Sequence, residues 1–135
     1  MQKMSSIDYF FALQELQELV GARLRKVFGL SENKFLLRFY KEKNFDLLVE
    51  LGTRIHLTNY TFEPPKQPSS FTMFLRKRLE NAVLKGIEQK NFDRIVFLEL
   101  DKKEEYFLAI EMIGKGNLVL CDSQLNILLP LRREV

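Results

Sequence analysis

The feature that most constrains this chain is a two-residue alternation that recurs in short segments. Phe35, Leu37 and Phe39 alternate with Leu36, Arg38 and Tyr40, and Phe45, Leu47 and Val49 alternate with Asp46, Leu48 and Glu50. Successive side chains of an extended chain point to opposite faces, so such segments read as strands. The same reading predicts strands over residues 23–28, 54–58, 83–89, 94–100, 106–113, 118–121 and 127–131. Their separators, such as Ser31-Glu32-Asn33, Lys41-Glu42-Lys43-Asn44 and Leu51-Gly52, are short and either polar or glycine-bearing. They leave room for hairpins but not for helical crossovers, which predicts antiparallel pairing.

Two segments depart from this period. Over residues 5–20, Ile7, Phe10, Phe11, Leu16, Leu19 and Val20 share a broad helical stripe, and Gly21 supplies the stop. The run Glu63-Pro64-Pro65-Lys66-Gln67-Pro68 lacks amide donors at its prolines, so an extended surface loop is expected there. It leads into a second helix over residues 71–79, capped by Ser69 or Ser70. That helix turns Phe71, Phe74, Leu75 and Leu79 inward and leaves Arg76, Lys77 and Arg78 largely toward solvent. Nine strands and two helices predict an α+β domain: two antiparallel sheets packed face to face as a helix-decorated β-sandwich.

A length of 135 residues, 46% of them apolar, suits one domain with a single core. One cysteine excludes an internal disulfide, and one histidine beside it excludes a Cys/His zinc site. Asp8, Glu15 and Glu18 interrupt any secretory apolar segment, and no later apolar run is long enough to span a bilayer, so a cytoplasmic protein with no membrane partner is expected. The net charge of +3 is too small to require a polyanion. Its distribution is more telling: basic side chains gather at Arg23, Arg25 and Lys26, at Arg76, Lys77 and Arg78, and at Arg132 and Arg133. The chain stops at Arg132-Arg133-Glu134-Val135 directly after a strand, as a piece of a longer protein would.

Catalytic chemistry has few places to reside. Cys121 with His56 is the only Cys/His pairing available. Cys121 ends the apolar strand Leu118-Val119-Leu120, where a thiol reads as packing, and His56 falls on the polar side of its strand. Gly114-Lys115-Gly116-Asn117 has phosphate-loop residues, but a strand rather than a helix follows, so a hairpin turn explains it. No carboxylate pair stands out as an acid/base dyad. Neither an enzyme nor a cofactor site is expected.

Four segments carry a family resemblance when taken in order. They are Ser6-Ile7-Asp8; Gly52-Thr53-Arg54-Ile55-His56-Leu57-Thr58; the stretch from Pro68 to Leu79; and Asp93-Arg94-Ile95-Val96, with Glu111-Met112-Ile113-Gly114-Lys115-Gly116-Asn117-Leu118-Val119-Leu120 after it. Together they resemble the amino-terminal domain of the NFACT family, which includes NEMF, Caliban, RqcH and the proteins once called fibronectin-binding. The resemblance implies ribosome-associated quality control: binding a stalled large ribosomal subunit with its peptidyl-tRNA, engaging charged tRNA and supporting untemplated carboxy-terminal tailing. Bond formation would then belong to the ribosome and positioning to the protein. In the family an Asp-Arg pair and an aspartate of the first helix engage tRNA, which maps onto Asp93, Arg94 and Asp8. Arg76 and Lys77 become candidate phosphate contacts, suited to a ligand gripped by shape. The family's helix-hairpin-helix region, coiled coil and second conserved domain lie outside these residues, so complete tailing is not expected of this stretch.

Each of these residues also has a plainer reading. Asp8 follows Ser5 at capping-box spacing, Asp93 can close the turn at Asn91-Phe92, and Arg94 can pair with a carboxylate on the sheet. Arg94 shares its strand face with Val96, Leu98 and Leu100, which places it at the sheet's rim. Two other functions compete. The family domain also resembles the amino-terminal domain of formamidopyrimidine-type DNA glycosylases, but those enzymes use an amino-terminal proline beside a glutamate, and this chain reads Met1-Gln2-Lys3-Met4. An adhesion module is the third reading, suggested by the fibronectin-binding name.

Overall fold

A computed structural model describes residues 6–89 and 94–132. In chain order, α1 (Ser6–Leu16) continues into a 3-10 turn (Gln17–Leu19). The strands β1 (Arg23–Ser31), β2 (Lys34–Lys41), β3 (Lys43–Glu50) and β4 (Arg54–Thr58) follow, then α2 (Ser70–Leu79). The last five strands are β5 (Val83–Gln89), β6 (Ile95–Asp101), β7 (Glu105–Glu111), β8 (Asn117–Asp122) and β9 (Ile127–Pro130). The periodicity located every one of these elements to within a few residues. Ser69 is the cap of α2: its hydroxyl accepts from the Thr72 amide at 3.1 Å.

All strand pairs are antiparallel, as the short separators required. The layering differs from the expected two sheets. The nine strands form one hydrogen-bonded sheet in the order β4-β3-β2-β1-β5-β6-β7-β8-β9. Its two meanders are joined where β1 and β5 begin, through Gly21 N to Leu84 O (2.7 Å), Leu84 N to Ala22 O (2.8 Å), Leu24 N to Ala82 O (2.8 Å) and Asn81 N to Leu24 O (2.7 Å). Side-chain alternation cannot register this pairing, because it joins backbone groups far apart in sequence and covers only the first residues of each strand. The inward rows of both meanders still meet in one core: Leu24, Leu37 and Val49 from the first and Leu84, Leu98 and Leu120 from the second belong to a single buried cluster.

Both helices add to that core, α1 through Leu13 and Leu16 and α2 through Phe71, Leu75 and Leu79. Helix α2 lies against β1 where Gly29 has no side chain, since a Cβ there would stand 2.6 Å from the Thr72 hydroxyl. The same contact corrects one expectation. Arg76 does not extend into solvent: its Nε donates to the Val27 carbonyl at 2.7 Å, tying helix to strand, while Arg78 lies over the Phe74 ring at 4.1 Å. Lys77 alone of the three is exposed.

At the opposite end of the strands the turns of the two meanders touch. Gly52 has φ +79°, and a Cβ on it would collide with the Gly114 carbonyl. Arg132 closes the junction by donating to the carbonyls of Lys115 (3.0 Å), Gly116 (2.5 Å) and Glu32 (3.4 Å). The buried Asn117 amide bonds the Arg132 backbone in both directions at 2.9 Å.

Two stability predictions follow from these contacts. Gly52→Ala combines a left-handed backbone with a collision against main chain and is expected to cost about 2–3 kcal/mol in urea denaturation; an unchanged midpoint would show that the two turns part freely. Arg76→Ala is expected to cost about 1–2 kcal/mol by orphaning a carbonyl, with Lys77→Ala within about 0.5 kcal/mol of the parent. Equal effects would mean that the Val27 bond contributes nothing.

Candidate nucleic-acid interface

The sequence nominated Asp8, Asp93, Arg94, Arg76 and Lys77. Asp8 stands exposed in the first turn of α1, where a carboxylate is favoured by the amide ends of the helix, and α1 packs against β5 and β4. Asp93 lies outside the described residues. Arg94 sits immediately before β6, half-buried, and its carbonyl accepts from the Met112 amide at 2.7 Å, which extends the β6–β7 ladder by one step. It continues the row of Val96, Leu98 and Leu100, all fully buried, so its side chain leaves the core row at the end of the sheet. Its guanidinium makes no hydrogen bond or ion pair among the described residues. The expected rim position is therefore what the backbone produces, and the plainer reading of Arg94 as a partner of a sheet carboxylate finds no such partner among those residues.

The described candidates are divided among separate elements. Arg76 and Lys77 ride on α2 against β1 in the first meander, whereas Arg94 opens β6 in the second, and no hydrogen bond or ion pair joins them. Arg76 keeps both terminal guanidinium nitrogens available because only its Nε is engaged by Val27. Two basic residues carry structural roles that the sequence reading did not assign to them. One is Arg38, which holds Asp46 through paired contacts, Nε to Oδ1 at 2.8 Å and Nη2 to Oδ2 at 3.0 Å. That carboxylate raises the Arg38 pKa above its ordinary value. The signal was present: alternation sets Arg38 and Asp46 on the outward rows of neighbouring strands. The other is Arg132, whose role in joining two distant turns has no local sequence signature.

The two groups weighed as a nucleophile-base pair lie on different strands. His56 is on β4 and its Nδ1 is 2.8 Å from the Leu57 carbonyl, so that nitrogen carries the proton and donates. Cys121, on β8 at the other side of the sheet order, is buried, and burial first and the neighbouring Asp122 and Glu111 charges second push its thiol above the ordinary range. Such a thiol stays protonated and slow to react near neutral pH. The Gly114-Lys115-Gly116-Asn117 segment is a turn whose carbonyls are taken by Arg132, a structural use. Among the described residues no group of three or more His, Cys, Asp and Glu side chains could hold a metal ion, and no helix is long and apolar enough to cross a membrane.

With this geometry in hand, known proteins place the chain. The model of the NFACT N-terminal and middle domains matches residues 7–135. The archaeal homologue aRqcH of Methanocaldococcus jannaschii is 36% identical over 98% of this chain and 21% of its own length. The human ribosome quality control complex subunit NEMF is 37% identical over 96% of this chain and 12% of its own. This chain thus spans about a fifth or less of those relatives. Among solved structures, the N-terminal domain of the fibronectin-binding protein PavA from Streptococcus pneumoniae superposes with a TM-score of 0.92 at 32% identity, over 98% of this chain and 57% of that one. A family match that runs from the first helix to the last residue, joined to the same fold at that identity, decides the assignment: this chain belongs to the NFACT family.

Proposed function

We propose that this domain is an RNA-engaging module of a ribosome-associated quality control factor, one that helps grip tRNA on a stalled large ribosomal subunit and so supports carboxy-terminal tailing of the nascent chain. The observation that carries the reading is the match of 94–96% of this chain to relatives named as ribosome quality control complex subunits, at 32–37% identity. The domain works without an active site or cofactor of its own. Its part is to hold a tRNA in position while the ribosome, in the cytoplasm, makes the bond. Asp8, Asp93 and Arg94 take the roles of the family's tRNA-engaging residues; the exposure of Asp8 and the place of Arg94 at the start of β6 suit those two to it. Arg76 and Lys77 add phosphate contacts, which give affinity and salt sensitivity with little sequence preference.

A second reading has its own support, because solved relatives carry fibronectin-binding names. The decisive measurement is the affinity of the purified protein for tRNA across a salt series, with immobilised fibronectin as the competing ligand. The Asp93→Ala/Arg94→Ala double variant is expected to lose about tenfold in tRNA affinity at unchanged circular dichroism. Parental affinity in that variant would reject the site, and fibronectin capture without tRNA binding would reject the function.

A further inference from the structure

The outward face of β1 and β2 gathers positive charge around one aromatic ring. Lys26 Nζ lies 5.2 Å from the centroid of Phe28, the Arg38 guanidinium 5.1 Å and the Arg76 guanidinium 5.7 Å. Lys26 and Arg38 are direct cross-strand neighbours, an arrangement of like charges that costs stability. Asp46 offsets one of the three cations and no other ion pair among the described residues offsets the rest. Next along the strand, Arg25 lies 5.2 Å over the Tyr40 ring, itself 42% exposed. A β-bulge between Leu24 and Lys26 turns both Arg25 and Lys26 to solvent while Leu24 and Val27 stay buried. A fold indifferent to this charge would have no need of the bulge or of the opposed cations.

The ridge is flanked by two grooves. One, of about 230 Å³, runs between Lys26, Arg25 and the Arg76–Glu80 side of α2. The other, of about 310 Å³, lies between Phe28, Arg38 and the loop after β4, and its outer wall includes Tyr60. Tyr60 is 78% exposed, the most exposed large apolar side chain among the described residues, and Phe62 backs it with ring centroids 6.3 Å apart. Cations spaced along a groove with open aromatic rings between them are the chemistry that tracks an unpaired polynucleotide: phosphates on the cations, bases on the rings. Both guanidiniums are already anchored. Among the described residues Arg38 keeps Nη1 unengaged beside the Asp46 pair, and Arg76, fixed at Nε by Val27, keeps both terminal nitrogens unengaged.

We propose that the β1–β2–α2 face, with Lys26, Arg38 and Arg76 around Phe28 and with Arg25 and Tyr60 at its ends, is a binding site for a single-stranded RNA segment. The choice of RNA rests on the tRNA-engaging reading above; the site itself lies in the first meander, whereas Arg94 stands at the start of β6 in the other.

The test is fluorescence anisotropy of the purified protein with a labelled oligouridylate of about twelve nucleotides, between about 50 and 200 mM salt. Arg25→Glu/Lys26→Glu is expected to weaken binding about tenfold or more and to flatten the dependence of log K on log salt by about 0.7 for each lost contact. Tyr60→Ala, which removes an exposed ring that the core does not use, is expected to weaken binding about fivefold or more with the salt slope unchanged. Parental binding in both variants overturns the site. So does an equal loss in Lys102→Glu/Lys103→Glu, whose exposed lysines lie on the β6–β7 turn of the other meander. Tighter binding to vesicles rich in phosphatidylserine than to the oligonucleotide overturns RNA as the ligand. Asp93→Ala/Arg94→Ala separates the two ideas: unchanged tRNA affinity there rejects the family site, while the oligouridylate result still decides this one.

Discussion

The short backbone junction between β1 and β5 is the constraint on which the remainder depends. Four main-chain hydrogen bonds join residues 21–24 to residues 81–84, and Ala22, Leu24, Ala82 and Leu84 at that place are fully buried. Buried amides and carbonyls without water need partners inside the protein, so the junction has little freedom to slide. Two alanines permit the close approach. Asn81, in a left-handed backbone at φ 68°, turns α2 into β5 and accepts Arg23 on its carbonyl and Arg25 on its side-chain oxygen. The junction therefore fixes three things together: the joining of both meanders into one sheet, the seat of α2 on β1, and the start of the bulged strand that displays Arg25 and Lys26.

The net charge of +3 conceals how the sheet divides its ions. The outward rows near β1 and β2 carry Lys26 and Arg38, with Arg76 leaning over them from α2. On the second meander, Glu99, Asp101, Glu105 and Glu111 occupy outward rows of β6 and β7, with Asp101 directly opposite Glu105. Those carboxylates surround an apolar outer patch in which Phe97 and Phe107 meet edge to face at 6.4 Å. A polyanion approaching such a molecule is drawn to one face and repelled by the other, which orients the encounter before any contact forms.

How much of this could be read from residues alone follows from which forces are local. Strand existence was legible because alternation is written in adjacent residues: Phe35, Leu37 and Phe39, one alternating set, all join the main buried core. The Ser69 cap was legible for the same reason. The single sheet was not, since its defining bonds are between main-chain groups, which every residue carries. The bulge also hid itself, for strict alternation would turn Leu24 and Lys26 to the same face, whereas both Leu24 and Val27 are buried, three apart. Arg76 misled because a helical wheel reports which side faces the sheet, not which long side chain bends back to a carbonyl. For the site, Arg94 stands half-buried just before β6, and Asp93 falls outside the described residues.

The basic face shows how anchoring and binding can use the same side chains without conflict. An arginine held at Nε gives up one donor and retains its terminal pair, so its rotamer is fixed in the free protein and little entropy remains to be lost when a phosphate arrives. Arg76 is held this way by a carbonyl, whereas Arg38, gripped by Asp46 through both Nε and Nη2, keeps only Nη1. A lysine in either place would preserve the charge but have to choose between tether and ligand, because its donors radiate from a single nitrogen. Lys26 and Lys77, by contrast, are exposed cations with no hydrogen bond or ion pair among the described residues, and each would lose side-chain freedom on meeting a ligand. In the proposed site Arg76, held at Nε and without an ion-pair partner among the described residues, is thus the cation with least freedom to lose to a phosphate, even though it is less exposed than Lys26 and Lys77.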